Sequence, residues 1–210
     1  MNYTVKPSEK DIRNAKSVVK GVIETCRIIE EVDNLNVELG WTSEQFILKD
    51  LQGSQCFAKN GKVLKIGFNT TPKSWKDSLK YSSAIGYGKT LFLNTKNQDV
   101  EEIDFLWEEL LFEGFAHVFA NEALGDIKSK APFDYNRFED EELEELWRIF
   151  SKNLDKSMNS SEISSEILQD RNIEVIGHLI CEELAKNYSW EELPDLEQRR
   201  LIEAGESLFI

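Results

Sequence analysis

The sequence predicts an α+β fold, with a small mixed or antiparallel sheet in the N-terminal half and a mainly helical C-terminal half. Three observations predict it. Apolar residues recur at i+3 and i+4 before residue 34 and again after residue 100, the period of helices with one buried stripe. Between residues 35 and 99 short β-type runs replace that period. Within that region Asn60-Gly61 stands between two such runs, where a hairpin needs its turn. A chain of 210 residues suits a single domain, 1–210, and can bury a sizeable core.

The first helix is expected from Ser8 to about Val32, in an N-terminal section 1–34. Ser8 and Asp11 have capping-box spacing, and Ile12, Ala15, Val19, Val22, Cys26 and Ile29 form its apolar stripe. In the β-rich section 35–99, Thr42 to Leu48 reads as a strand. Gln55–Lys59 and Lys62–Phe68 read as a hairpin across Asn60-Gly61, with positive φ in a type I′ turn. Thr71-Pro72 starts a short helix through Trp75 and Leu79. Gly86 and Gly88 flank Tyr87 in a loop, and Lys89–Asn94 reads as a further strand.

The helical section 100–210 is organised around one long helix from Val100 to Leu124, ended by Gly125. Glu139–Asp155, Asp170–Asn187 and Leu196–Phe209 follow as helices. The stretches Asp126–Tyr135 and Ser157–Ser165 read as connections.

The central helix is apolar nearly all round, the mark of a buried helix. At about 100° per residue, Leu106, Leu110, Glu113, His117, Ala120 and Leu124 share one stripe. Glu113 and His117 thus occupy positions where apolar residues are expected. A carboxylate in a core must be paired or bound to metal. Either the two form a buried pair at i,i+4, or they belong to a catalytic or metal site. His178 and Glu182 repeat the spacing on a later helix, beside Gly177, so Glu113, His117, His178 and Glu182 are a candidate set of ligands for zinc or another divalent ion. Metal-free readings require no cofactor.

Charge is uneven. Residues 1–100 hold 15 Lys+Arg and 11 Asp+Glu, and residues 101–210 hold 10 and 28, which together give the net −14. The acidic half argues against nucleic acid and anionic membranes as partners. There is no run of about 18 apolar residues to span a membrane and no apolar leader at the N-terminus. Three widely spaced cysteines without metal-knuckle spacing fit reduced thiols in a cytoplasmic protein.

Over roughly residues 100–210, and more loosely 55–100, the sequence resembles the YjaZ-like family of predicted zinc-dependent proteases, whose gluzincin-type arrangement implies a zincin-like fold. The residues that carry the resemblance are Leu111–Gly125, Ala131–Asp134, Glu142–Trp147, Val175–Ile180 and Leu201–Phe209. In that family a His-Glu-x-x-His helix precedes a Glu-Gly-Leu-Ala-Glu-like helix whose first glutamate, here Glu113, resembles the third zinc ligand. This chain departs at the decisive point. Its only histidines are His117 and His178, and none precedes Glu113. Ala84–Lys89 stands in the place of the missing motif, or else Phe112–His117 is its decayed form. The resemblance with this departure implies a degenerate metallopeptidase-like protein that binds a peptide or protein partner. The alternatives are a hydrolase with catalytic Glu113 and His117, and a structural Glu–His pair.

Overall fold

The computed structural model describes residues 7–126, 131, 138–159, 167 and 172–210. Within them the fold is α+β, with seven α-helices and a three-stranded mixed sheet. The chain divides into two compact units. One holds the described residues of 1–97 and 120–134, the other those of 98–119 and 135–210.

In the first unit, α1 spans Glu9–Ile29. The Ser8 cap forms as the spacing predicts: the Asp11 N–H donates to Ser8 Oγ, and the Ser8 N–H donates back to the Asp11 carboxylate, both at 3.1 Å. The Ser8 hydroxyl also donates to the Asp11 carboxylate, at 2.6 Å, and together with the Ser8 N–H it holds that carboxyl below its ordinary pKa. The buried stripe is Ala15, Val19, Val22, Ile23 and Cys26. The helix stops before Val32 because the Tyr87 hydroxyl donates to the Glu30 carbonyl at 2.6 Å and accepts from the Val32 N–H at 3.1 Å. Glu30 is thereby held in extended backbone.

The first strand is not Thr42–Leu48. It is β1, Asn36–Trp41, and Gln45–Lys49 is instead the short helix α2. β1 alternates between exposed and half-buried positions, as a strand with one covered face must. The hairpin is present as β2, Ser54–Asn60, and β3, Val63–Phe68. Its turn differs from expectation. Asn60 pairs with Val63 inside the ladder, a register shift lies between Ala58 and Asn60, and neither Asn60 nor Gly61 takes positive φ. The Asn60 side chain accepts from the Lys62 N–H at 3.1 Å and so shapes the turn itself. β1 pairs with β3 in parallel, which gives the order β1-β3-β2.

The largest correction follows. The expected short helix, glycine loop and strand are one 22-residue helix, α3, Trp75–Lys96. Nearly every residue from Ser78 to Leu93 is buried, so the segment has no amphipathic period to read. Its glycine is a packing device. A Cβ on Gly86 would lie 2.6 Å from Leu64 Cδ1 and 2.9 Å from Cys56 Cβ, so its absence lets α3 lie directly on β2 and β3. Buried hydroxyls are satisfied by backbone carbonyls: Ser83 donates to Leu79 and Thr90 to Gly86 within the helix, and Ser78 donates to Leu51 outside it. Asn97 ends the helix at φ 51°.

The expected helix 100–124, of which residues 100–119 lie in the second unit, is split. Val100–Glu102 is a 3-10 turn, and α4 runs Leu106–Leu124. The break arises because the Glu108 carboxylate accepts the Asp104 and Phe105 N–H groups, each at 3.1 Å. The Leu106 and Trp107 N–H groups donate to the Lys156 and Leu154 carbonyls. Gly125 closes α4 at φ 68°, as expected. Then come α5, Asp140–Ser151, α6, Asn172–Leu184, and α7, Gln198–Phe209. Gly205 of α7 lies flat on the Trp147 indole of α5, where a Cβ would stand 2.2 Å from Cζ2. Most of the expected connection Asp126–Tyr135, and most of Ser157–Ser165, lies outside the described residues.

Candidate functional site

The second unit holds a buried histidine pair. α4 and α6 cross antiparallel at two glycines: a Cβ on Gly114 would lie 2.1 Å from the Gly177 carbonyl oxygen, and one on Gly177 would lie 2.4 Å from that of Leu110. Such an approach requires hydrogen at both positions. About one turn from the crossing, His117 of α4 meets Glu174 of α6, with Nε2 3.3 Å from Oε1. The His117 and His178 rings stand edge to face, centroids 4.6 Å apart. Both imidazoles are fully buried. His178 Nε2 lies 3.3 Å from Glu182 Oε1 on its own helix.

Burial pushes the His117 imidazole below its ordinary pKa. Glu174 and Glu113 pull the other way, and His178 adds to the lowering. The close carboxylate would suggest an ion pair, but burial dominates, and the contact is that of a neutral imidazole facing a carboxylate.

The helical spacing predicts that four residues meet here. His117 and His178 do, in ring contact. Glu182 reaches His178, and Glu113 acts on His117 electrostatically. The carboxylate set against His117 Nε2 is nevertheless that of Glu174. Sequence reasoning missed Glu174, although a signal was there: Glu174-x-x-x-His178 repeats the spacing of Glu113-x-x-x-His117. Among the described residues no three His, Cys, Asp or Glu side chains are grouped, as they stand, to hold a metal ion.

The zinc centre of the resembled family does not fit these residues. It takes two imidazoles from successive turns of one helix and a glutamate base beside them. The two histidines lie on different helices, and the middle of α3 reads Tyr81-Ser-Ser-Ala-Ile-Gly-Tyr-Gly88.

The first unit has a separate concave feature, on the sheet face turned away from α3. Gly40 pairs with Gly67 across β1 and β3, and Gly67 with Gln55 across β3 and β2. The next row is Glu38, Lys65 and Phe57, with Lys65 Nζ 3.6 Å from Glu38 Oε2 and Phe57 half exposed. The bare glycine row is the floor of a groove of about 530 Å³ whose lining includes Trp41, Ile47, Phe57 and the two glycines. Nothing lies within 4 Å of where a Gly40 Cβ would stand. The buried Trp41 Nε1–H has no acceptor among the described residues. This groove is not legible in sequence, because the residue pattern places the first strand at 42–48 and so leaves Gly40 outside the sheet.

No disulfide joins Cys26, Cys56 and Cys181. Among the described residues no helix is long and apolar enough to cross a membrane. Comparison with protein-family profiles, curated proteins and solved structures gives no match, so the site's own geometry is what bears on function.

Proposed function

We propose that this protein is a metallopeptidase-like frame without the standard hydrolytic centre, and that it acts by binding an extended peptide segment of a partner. The observation that carries the reading is the glycine-floored groove on the outer sheet face. Paired glycines in adjacent strands expose bare backbone, which lets another chain approach closely. Its volume is in the range of ligand-binding clefts, ~300–1,000 Å³. Among the described residues β1 and β2 are the outer strands of the sheet, the positions at which an added strand would pair. Phe57 and the Glu38–Lys65 pair flank the floor with one apolar and one charged feature. The composition of α3 supports the loss of hydrolysis, because it offers neither imidazole nor carboxylate between Asp77 and Lys96.

Hydrolysis centred on Glu113 and His117 is the weaker reading, since it needs an imidazole open to substrate and His117 is 0% exposed. The test is a peptide-array screen followed by titration of the best peptides against the protein and its Gly67→Val variant. Loss of binding in Gly67→Val with an unchanged thermal midpoint supports the groove. Unchanged binding refutes it.

A further inference from the structure

We propose that the peptide in the groove carries an aromatic side chain that lies on the Gly40–Gly67 floor and a basic side chain that meets Glu44. The inference rests on the peptide reading and names the chemistry that the peptide must carry.

The position of an added strand comes first. The Asn36 and Thr42 N–H groups donate to the Lys62 and Phe68 carbonyls, so every second residue of β1, counted from Asn36, turns its backbone toward β3. Val37, Leu39 and Trp41 turn theirs to the outer edge, and among the described residues their N–H groups have no hydrogen-bond partner. A strand added along that edge places one residue directly opposite Gly40, with its side chain on the same outer face.

The floor then selects the side chain. Gly40 is exposed and the place of its Cβ is open. Beyond it lies Gly67, whose Cβ position is no closer than 3.7 Å to the Thr42 methyl and 3.9 Å to the Gln55 carbonyl oxygen. A side chain crossing both glycines rests on bare peptide groups. An aromatic ring combines that reach with a flat face, and aromatic residues cover glycines of a neighbouring strand in this way. Phe57 stands diagonal to Gly67 on β2 and is half exposed, so it offers a ring at the far wall. Aromatic pairs gain beyond the area they bury, which favours Phe, Tyr or Trp over Leu or Val at this place.

Charge selects the second residue. Glu38, Lys65 and Glu44 line the groove. Lys65 is matched to Glu38 at 3.6 Å. Glu44 is exposed and forms no ion pair among the described residues, which leaves one unmatched negative charge in the lining. It follows Thr42 by two residues, at the end toward which β1 runs. In a strand antiparallel to β1, the more stable direction per residue, the residue two places before the aromatic lies opposite Thr42, on the Glu44 side. A lysine or arginine there balances the charge, so the peptide reads basic-x-aromatic.

The experiment is fluorescence-anisotropy titration of a labelled, capped peptide Thr-Thr-Lys-Thr-Phe-Thr-Thr with the full chain. Replacing the peptide's phenylalanine by alanine, or Gly40 by valine in the protein, should each weaken binding by about tenfold or more. Gly40→Val puts a strand-favouring side chain into open space, so the fold is kept and an unchanged or raised thermal midpoint verifies it. Replacing the peptide's lysine by glutamate should weaken binding about two- to five-fold at low salt, and Glu44→Gln should shrink that difference. The proposal is overturned if the peptide does not bind, if its alanine version binds equally well, if Gly40→Val binds it as the parent does, or if Glu44→Gln leaves the lysine-to-glutamate difference intact. Array peptides that lose binding in Gly67→Val without carrying an aromatic residue overturn this proposal and leave the groove reading standing. Peptide binding untouched by Gly67→Val overturns the groove reading itself.

Discussion

Gly114 and Gly177 face each other across two antiparallel helices so closely that a Cβ on the first would sit 2.1 Å from the carbonyl oxygen of the second. That contact sets the depth at which His117, Glu174 and His178 meet. The obstruction to any side chain is backbone, which cannot swing aside. Gly114→Ala is therefore expected to destabilise by about 3 kcal/mol, the upper end of the usual range for overpacking. Urea denaturation measures it. A loss below about 1 kcal/mol would show that the helices can separate and that the crossing is not fixed.

Gly21 supplies the opposite case on α1. Nothing lies within 4 Å of its Cβ position, and it sits in a helix interior. Gly21→Ala should stabilise by roughly 0.5–1 kcal/mol, through helix propensity and a less flexible unfolded chain. A raised denaturation midpoint at constant slope is the expected observation.

Tyr87 ties the end of α1 to α3 with both capacities of its hydroxyl. Burial raises its pKa, while the hydrogen bond from Val32 lowers it in part. Tyr87→Phe leaves the Val32 N–H and the Glu30 carbonyl without that partner, and should destabilise by about 1–3 kcal/mol. Faster amide exchange at Val32 would locate the effect, and unchanged exchange there would contradict the assignment.

The protein should lose stability in mild acid. Burial pushes the His117 imidazole below the ordinary histidine value of 6.5. Between that value and the lowered one of the folded state, the unfolded chain holds a proton that the folded chain does not. Stability from this group is complete above about pH 6.5 and falls as pH drops, by at most about 1.4 kcal/mol per pH unit for one proton. Thermal midpoints from about pH 8 to about pH 5 should show this slope, and His117→Gln should flatten it.

Thiol reactivity should separate the three cysteines. Burial pushes the Cys26 thiol up to about 12 and raises that of Cys181 as well, while Cys56 is only half-buried. A maleimide reagent on folded protein should label Cys56 first, with the other two reacting only on unfolding. Mass-spectrometric mapping of the label decides it.

Much of this protein is written locally. The capping box at Ser8, the stripe of α1, the β2–β3 hairpin and the glycine ending α4 are each set by neighbours a few residues away, and each is legible in sequence. So is the anomaly of Glu113 and His117 on an apolar helix. Three features were decided only by tertiary contact. α3 has no amphipathic period because it is buried nearly all round, so its glycines read as a loop until Leu64 and Cys56 are seen against Gly86. The partner of His117 is Glu174, on another helix, and only the crossing at Gly114 and Gly177 selects it over Glu113 one turn away. The glycine floor of the groove exists because β1 and β3 align Gly40 with Gly67, and register between strands far apart in sequence is set by which faces they bury together. Period and capping are properties of a segment. Partner choice and register belong to pairs of segments, and the packing of one against the other supplies the energy that fixes them.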